Sequence, residues 1–177
     1  MSANAIYIDL PLRREQVARL QPGDEVLLNG TMLAGRDQVH KRFYEFLEAG
    51  QPLPVDISGE TIFYMGPAPA PEGAVIGSCG PTTAARMDPF TPRLLAAGLR
   101  GMIGKGPRSD AVREAVRDTE SIYFYAFGGC GALYAGRIAE ARTVAFHELG
   151  PEALLALTVV DFPVLVAMDC HGNLFTE

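Results

Sequence analysis

The sequence predicts an α/β domain with a partly barrel-like sheet. Three observations carry that prediction. Helix-like and strand-like stretches alternate through the middle of the chain, while both ends are strand-rich. The dipeptide Asn29-Gly30 stands between two short apolar runs like a tight hairpin turn, which suits a small barrel or a curled sheet. With 177 residues, 48% of them hydrophobic, the chain can fill one domain of two layers or lobes.

The elements follow in order. Ala5 to Leu10 alternates and is rich in Ile and Tyr, as a strand does. Gln21 to Asp24 is a turn, and Glu25 to Leu28 and Thr31 to Ala34 are the arms of the hairpin. Asp37 is placed to cap a helix in which Val39, Phe43, Phe46 and Leu47 recur at helical spacing as far as Ala49. His40 lies in its first turn, where a packed or hydrogen-bonded ring is expected rather than a catalyst. Thr61 to Met65 and the run Ala74, Val75, Ile76 read as strands. Thr91-Pro92 opens a short helix that Gly98 closes. Leu99 to Ile103 and Ile122 to Phe127 are strands flanking a helix capped by Ser109 or Asp110. Thr143 to Phe146, Ala153 to Val160 and Val164 to Met168 supply three more strands, and His171 to Asn173 a turn.

Composition excludes several classes. Only 20% of residues are charged, the net charge is -6 and no basic block occurs, so neither nucleic acid nor an anionic membrane is expected as partner. Cys79, Cys130 and Cys170 are odd in number and far apart, which suits small buried thiols rather than disulfides or a zinc site. The N-terminus shows no charged region followed by an apolar core, and Leu154 to Met168 is too short and too interrupted to span a bilayer. A cytoplasmic protein is expected. Asn29-Gly30-Thr31 is then not a glycosylation site. Neither glycine cluster fits a nucleotide fingerprint. A P-loop would need Gly where Leu99 stands and Ser or Thr after Lys105, and a dinucleotide motif would need Gly at Tyr134. Gly128 to Gly131 instead suits close packing of a helix on a strand.

The candidate site centres on Gly77 to Phe90. Thr82 and Thr83 follow Gly80-Pro81 as caps of a new turn, and Arg86, four residues after Thr82, shares its face if that turn is helical. A hydroxyl, a guanidinium and free N–H groups suit a carboxylate or phosphate; an ordinary capped turn with a surface arginine uses the same residues. Other basic residues follow glycines. Arg36 and Lys105 stand at element ends where ligands gather, whereas Arg100 and Arg137 read as solvated. Arg36, Arg86 and Lys105 with the Thr82 hydroxyl suit a small dianionic acid. No nucleophile with a base and no metal-ligand spacing accompanies them.

These segments also carry a resemblance. G-T-M-L-A-G-R-D-Q-V-H-K-R, Y-M-G-P, G-P-T-T-A-A-R-M-D-P-F and M-I-G-K-G, in that order, resemble the C-terminal domain or β subunit of class I fumarases, and the similar β subunit of iron–sulfur L-tartrate dehydratases. The match runs from about Gly23 to Asn173. It implies a single swivelling β/β/α domain over residues 1–177, with a barrel-like sheet flanked by helices, and reversible hydration of a dicarboxylate double bond. In the family, a [4Fe–4S] cluster held by three Cys of the other domain or subunit binds the substrate hydroxyl. Arg36 and Arg86 then match carboxylate-binding arginines, Thr82 the proposed base, and Lys105 a lysine of the same site.

The resemblance implies no cluster in this chain alone and a separate cluster-bearing α subunit in a hetero-oligomer. Fumarate hydratase is the leading expectation. An L-tartrate dehydratase β subunit and a non-catalytic dicarboxylate-binding or assembly module are its rivals.

Overall fold

The computed structural model describes residues 5–176. The leader-free reading of the N-terminus rests partly on residues 1–4, which lie outside them. Five strands run parallel to their neighbours: β1 (Ile6–Asp9), β2 (Glu25–Ala34), β3 (Thr61–Phe63), β4 (Gly101–Gly104) and β5 (Ile122–Tyr125). The long strand β7 (Leu154–Met168) is antiparallel to both β5 and β2, so β2, β3, β4, β5 and β7 close into a five-stranded barrel. β1 extends the sheet beside β2, and β6 (Ile138–Ala145) extends it beside β7.

Period-2 alternation divides the core in two. Phe63, Ile103, Phe124, Phe162 and Val166 belong to one buried cluster, and Ile62, Tyr64, Met102 and Tyr123 to the other. The second cluster is shared with helices α2 (Asp37–Glu48), α3 (Thr91–Ala96) and α4 (Asp110–Thr119), which lie outside the barrel and supply Val39, Phe43, Leu94, Val112 and Val116. The first cluster therefore fills the interior. Two short helices, α1 (Arg14–Val17) and α5 (Gly131–Ala135), add Val17 and Tyr134 to it. Tyr134 packs on Phe63 and Phe162, with ring centroids 5.9 and 4.8 Å away.

Several local expectations are corrected. Asn29-Gly30 is not a hairpin, because β2 runs unbroken from Glu25 to Ala34. Its irregularity is a bulge against β7, between the pairs Leu28–Phe162 and Gly30–Val159. Asp161, at φ 48°, donates its N–H to Asn29 Oδ1 at 3.0 Å, and Gly30 takes φ 106°. The same bulge joins the two expected runs on either side of Asp161 into the single strand β7. Ala74 to Ile76 is a loop with Val75 exposed, folded back so that Ala68 N–H donates to Ser78 O at 2.9 Å. Asp37 is the first residue of α2, and Arg36 occupies the cap position. Thr91 likewise lies just inside α3, with its hydroxyl donating to Met87 O at 2.9 Å. Ser109 does cap α4, accepting from Val112 N–H at 3.4 Å. Arg100 is half-buried rather than solvated, with Nη1 donating to the carbonyls of Thr119 and Glu120 at 2.9 and 3.3 Å.

Candidate functional site at the rim of the parallel strands

Parallel strands present their carboxyl ends on one side, and the turns that follow them make the rim on which ligands of such sheets bind. Arg36 lies two residues beyond β2, Gly66 three beyond β3 and Lys105 one beyond β4. Thr82 arrives from the long loop and completes the rim through its backbone. Its N–H donates to Tyr64 O at 2.6 Å, and its carbonyl accepts from Lys105 N–H at 3.3 Å. Thr83 then pairs with Lys105 as an isolated parallel bridge, and Ala84 N–H donates to Lys105 O at 2.9 Å.

A single-turn 3-10 helix follows over Ala84–Met87, so Thr82 precedes the helical turn and the shared-face argument for Thr82 and Arg86 does not hold. Neither threonine caps the turn through its side chain in the way expected, since Thr83 occupies the cap position without a side-chain hydrogen bond. Extended backbone sends successive side chains to opposite faces. Thr82 is accordingly half-buried and Thr83 exposed.

The two arginines are held differently. Arg36 Nε donates to Glu152 Oε1 at 2.8 Å, and Glu152 sits in the 3-10 segment His147–Glu152 between β6 and β7. The guanidinium lies over Gly66, where a β-carbon would stand 2.8 Å from Arg36 Cζ. The glycine of Y-M-G-P thus leaves room for the cation. Arg86 Nε donates to Asp37 Oδ1 at 2.9 Å, and its Nη2 lies 2.6 Å from Oδ2 in the same ion pair. Lys105 is exposed and, among the described residues, makes no ion pair. Beside it opens a cleft of about 510 Å³, lined by Tyr125, Phe127, Gly128, Leu165 and Phe175 among others.

Beneath the rim lies an arrangement that no sequence motif announced. The Arg108 side chain is fully buried. Its Nε donates to Asp88 Oδ1 at 2.7 Å, its Nη2 to Thr91 Oγ1 at 2.8 Å, and its Nη1 to Tyr64 Oη at 3.4 Å. The rings of Tyr64 and Tyr123 stack on it, with centroids 5.4 and 4.9 Å from Cζ. Burial opposes its charge, but Tyr64 and Asp88 more than offset that effect. Asp88 also accepts Ser109 N–H at 2.7 Å, so this ion pair ties the Ala84–Met87 turn to the start of α4.

His40 packs edge-on against Tyr64 at 5.0 Å and pairs Nδ1 with Arg36 O at 2.9 Å, leaving Nε2 buried without a hydrogen-bond partner among the described residues. Burial is the main cause that lowers its pKa to about 4, so the ring is neutral near pH 7. It is a packing residue, as expected.

Burial pushes the Cys79 thiol up to about 11 and raises that of Cys170, away from the thiolate form that cluster ligands take. Among the described residues no group of three or more Cys, His, Asp or Glu side chains could hold a metal ion. No helix among them is long and apolar enough to cross a membrane.

Comparison with known proteins gives consistent relatives. The family model for the fumarase C-terminus matches residues 1–177. The chain is 36% identical to fumarate hydratase 2 of Leishmania major over 98% of its own length and 32% of that protein's. It is 38% identical to the aerobic class I fumarate hydratase of Escherichia coli K12, over 98% of its own length and 33% of that one. It thus spans about a third of the length of these hydratases. A chain of Methanocaldococcus jannaschii named "Putative L(+)-tartrate dehydratase subunit beta" is 36% identical, with 94% of this chain and 88% of that one covered.

Proposed function

Because the chain belongs to the fumarase C-terminus family, we propose that it is the β subunit of an iron–sulfur hydro-lyase that hydrates fumarate reversibly to malate. The observation that carries this reading beyond family membership is the rim itself. Arg36 and Lys105 stand just beyond the carboxyl ends of the parallel strands β2 and β4, and the segment that pairs with Lys105 carries the half-buried Thr82 hydroxyl and leads into the turn that bears Arg86. The same proposal treats residues 1–177 as one functional domain.

In it, Arg36 and Arg86 hold the two carboxylates of the substrate, each through a planar pair of N–H donors. Thr82 takes the proton from the carbon beside one carboxylate. A hydroxyl is a poor base, so the step requires cations that stabilise the alkoxide and the developing carbanion charge. Lys105, joined to Thr82 through the backbone, and Arg86 are placed on the adjoining segments to do so. Among the described residues no group of three or more Cys, His, Asp or Glu side chains could hold a metal ion, so the proposal assigns the cluster to a separate α subunit, with the site shared between the two chains. The subunit-type relative, covered over 88% of its length, supports that arrangement.

The same relative favours one rival, an L-tartrate dehydratase β subunit, since both substrates are four-carbon dicarboxylates. Co-expression with the α chain and anaerobic cluster reconstitution, followed by assays on malate, fumarate and tartrate, separates the readings. Turnover of fumarate and malate is expected. Preferential loss of water from tartrate selects the rival, and inactivity on all three with retained dicarboxylate binding selects a non-catalytic module.

A further inference from the structure

A guanidinium can meet carboxylates along two edges, one formed by Nε with an Nη group and one by the two Nη groups. In this protein both rim arginines spend the Nε edge on a carboxylate of the chain itself. Arg36 Nε is taken by Glu152 at 2.8 Å, and Arg86 Nε by Asp37 at 2.9 Å. Among the described residues, neither Nη group of Arg36 has a hydrogen-bond partner, and Nη1 of Arg86 has none. We infer that Asp37 and Glu152 are positioning residues. They fix the planes of Arg86 and Arg36 so that the outer edges face an incoming dicarboxylate. This inference rests on the assignment of the two arginines to substrate binding.

The geometry gives reasons for such holders. Arginine side chains carry much rotamer entropy, and a guanidinium ordered in advance loses less of it on binding. Arg36 and Asp37 are consecutive at the start of α2, so one peptide unit carries one binding cation and the holder of the other. The spacing between the two guanidiniums is then tied to a single backbone segment rather than to two independent loops. Glu152 comes from the distant connection between β6 and β7, where Glu148 also pairs with Arg42 of α2 at 3.5 Å, so that segment is clamped to the helix. Both carboxylates would act through an arginine and not on the substrate.

A rival explanation uses the same contacts, with Glu152 occupying the place of a substrate carboxylate. The two differ in the sign of one effect. In the holoenzyme assembled with its cluster-bearing partner, Glu152→Gln and Asp37→Asn should each raise KM for malate and fumarate on the order of tenfold and leave kcat within about twofold, the signature of lost uniform binding. Asp37→Asn added to Arg86→Lys should cost little more than Arg86→Lys alone, because both act through one guanidinium. Melting curves should be nearly superimposable, since the pairs are partly exposed. A fall in KM for Glu152→Gln overturns the inference in favour of a substrate mimic. Unchanged KM in both carboxylate variants, beside a raised KM in Arg36→Lys and Arg86→Lys, overturns it while leaving the function standing. If the lysine variants also leave KM unchanged, the binding assignment itself fails and the inference falls with it.

Discussion

Two arginine–aspartate pairs lie within a few residues of each other in sequence and are used in opposite ways. In the segment Arg86-Met87-Asp88, Asp88 belongs to a pair whose Arg108 side chain is fully buried, and Arg86 to a pair in which its own side chain is 55% exposed. Arg108 is engaged by Asp88, Thr91 and Tyr64 and stacked by two rings; among the described residues Arg86 pairs with Asp37 alone and keeps part of its donor set unused. A guanidinium whose donors are spent inside the fold is anchored, and one that keeps free donors at the surface can still recruit an anion. The comparison separates stability from binding, and it can be broken from either side.

The largest effect is expected beneath the rim. Removing one member of a buried ion pair costs about 3–5 kcal/mol, because the other is left charged and desolvated. Arg108→Met should lower the urea midpoint by a corresponding amount and loosen the turn that carries Arg86. Arg86→Lys should leave the midpoint almost unchanged, because exposed pairs contribute about 0–1 kcal/mol. Equal losses of stability in the two variants would erase the distinction.

His40, which touches Tyr64, tests the same anchor through pH. Its pKa falls from 6.5 to about 4 in the folded chain, chiefly by burial. The unfolded state therefore binds the extra proton first, and stability present above pH 6.5 is lost as pH falls towards 4, by about 3 kcal/mol in all. His40→Gln should flatten that part of the profile. Parallel denaturation profiles for variant and parent between pH 7 and 4.5 would show that the ring is not the group responsible.

Legibility in the sequence followed the same division between local and distant causes. Helix α2 was readable because Val39 and Phe43 repeat at the helical period, and that repeat is a property of neighbours in the chain. The Asn29-Gly30 irregularity was misread because its cause, Asp161, stands 132 positions away. Val75 looked like part of a strand because an apolar run does not reveal whether a ladder partner exists. The rim positions of Arg36 and Lys105 were visible from their glycines at strand ends. Their holders were not. Asp37 seemed a cap, Glu152 had no motif, and Arg108 follows a proline with nothing local to mark its burial. Family resemblance named the four site residues but gave no contacts, and the contacts decide which arginine is anchored.

On the rim, activity should change without stability. Thr82 is fixed by its backbone and half-buried, whereas Thr83 is exposed. In the assembled enzyme Thr82→Ala should reduce turnover by about 10²-fold or more, the scale of an acid–base residue, and Thr82→Ser should retain part of the rate. Thr83→Ala should resemble the parent. The reverse order would transfer the proton step to the neighbouring hydroxyl.

The smallest change proposed is one methyl group, and it addresses what holds the plane of each guanidinium. The rings of Tyr64 and Tyr123 lie against Arg108, but Arg36 rests on the bare backbone of Gly66. A β-carbon at Gly66 would lie 2.8 Å from Arg36 Cζ and 3.0 Å from Nε, closer than carbon and nitrogen can approach without movement. The three nearest atoms all belong to the end of the arginine side chain. Gly66→Ala should therefore fold with stability within about 0.5 kcal/mol of the parent, as substitutions that clash with no fixed group do. The displaced guanidinium should raise KM on the order of tenfold with kcat little changed, since a ground-state contact is lost rather than one confined to the transition state. Combining Gly66→Ala with Arg36→Lys should add little, because the methyl group acts only through the arginine it displaces. An unchanged KM in Gly66→Ala, with folding intact, would mean that Arg36 can bind from more than one position and that its fixed plane is not required.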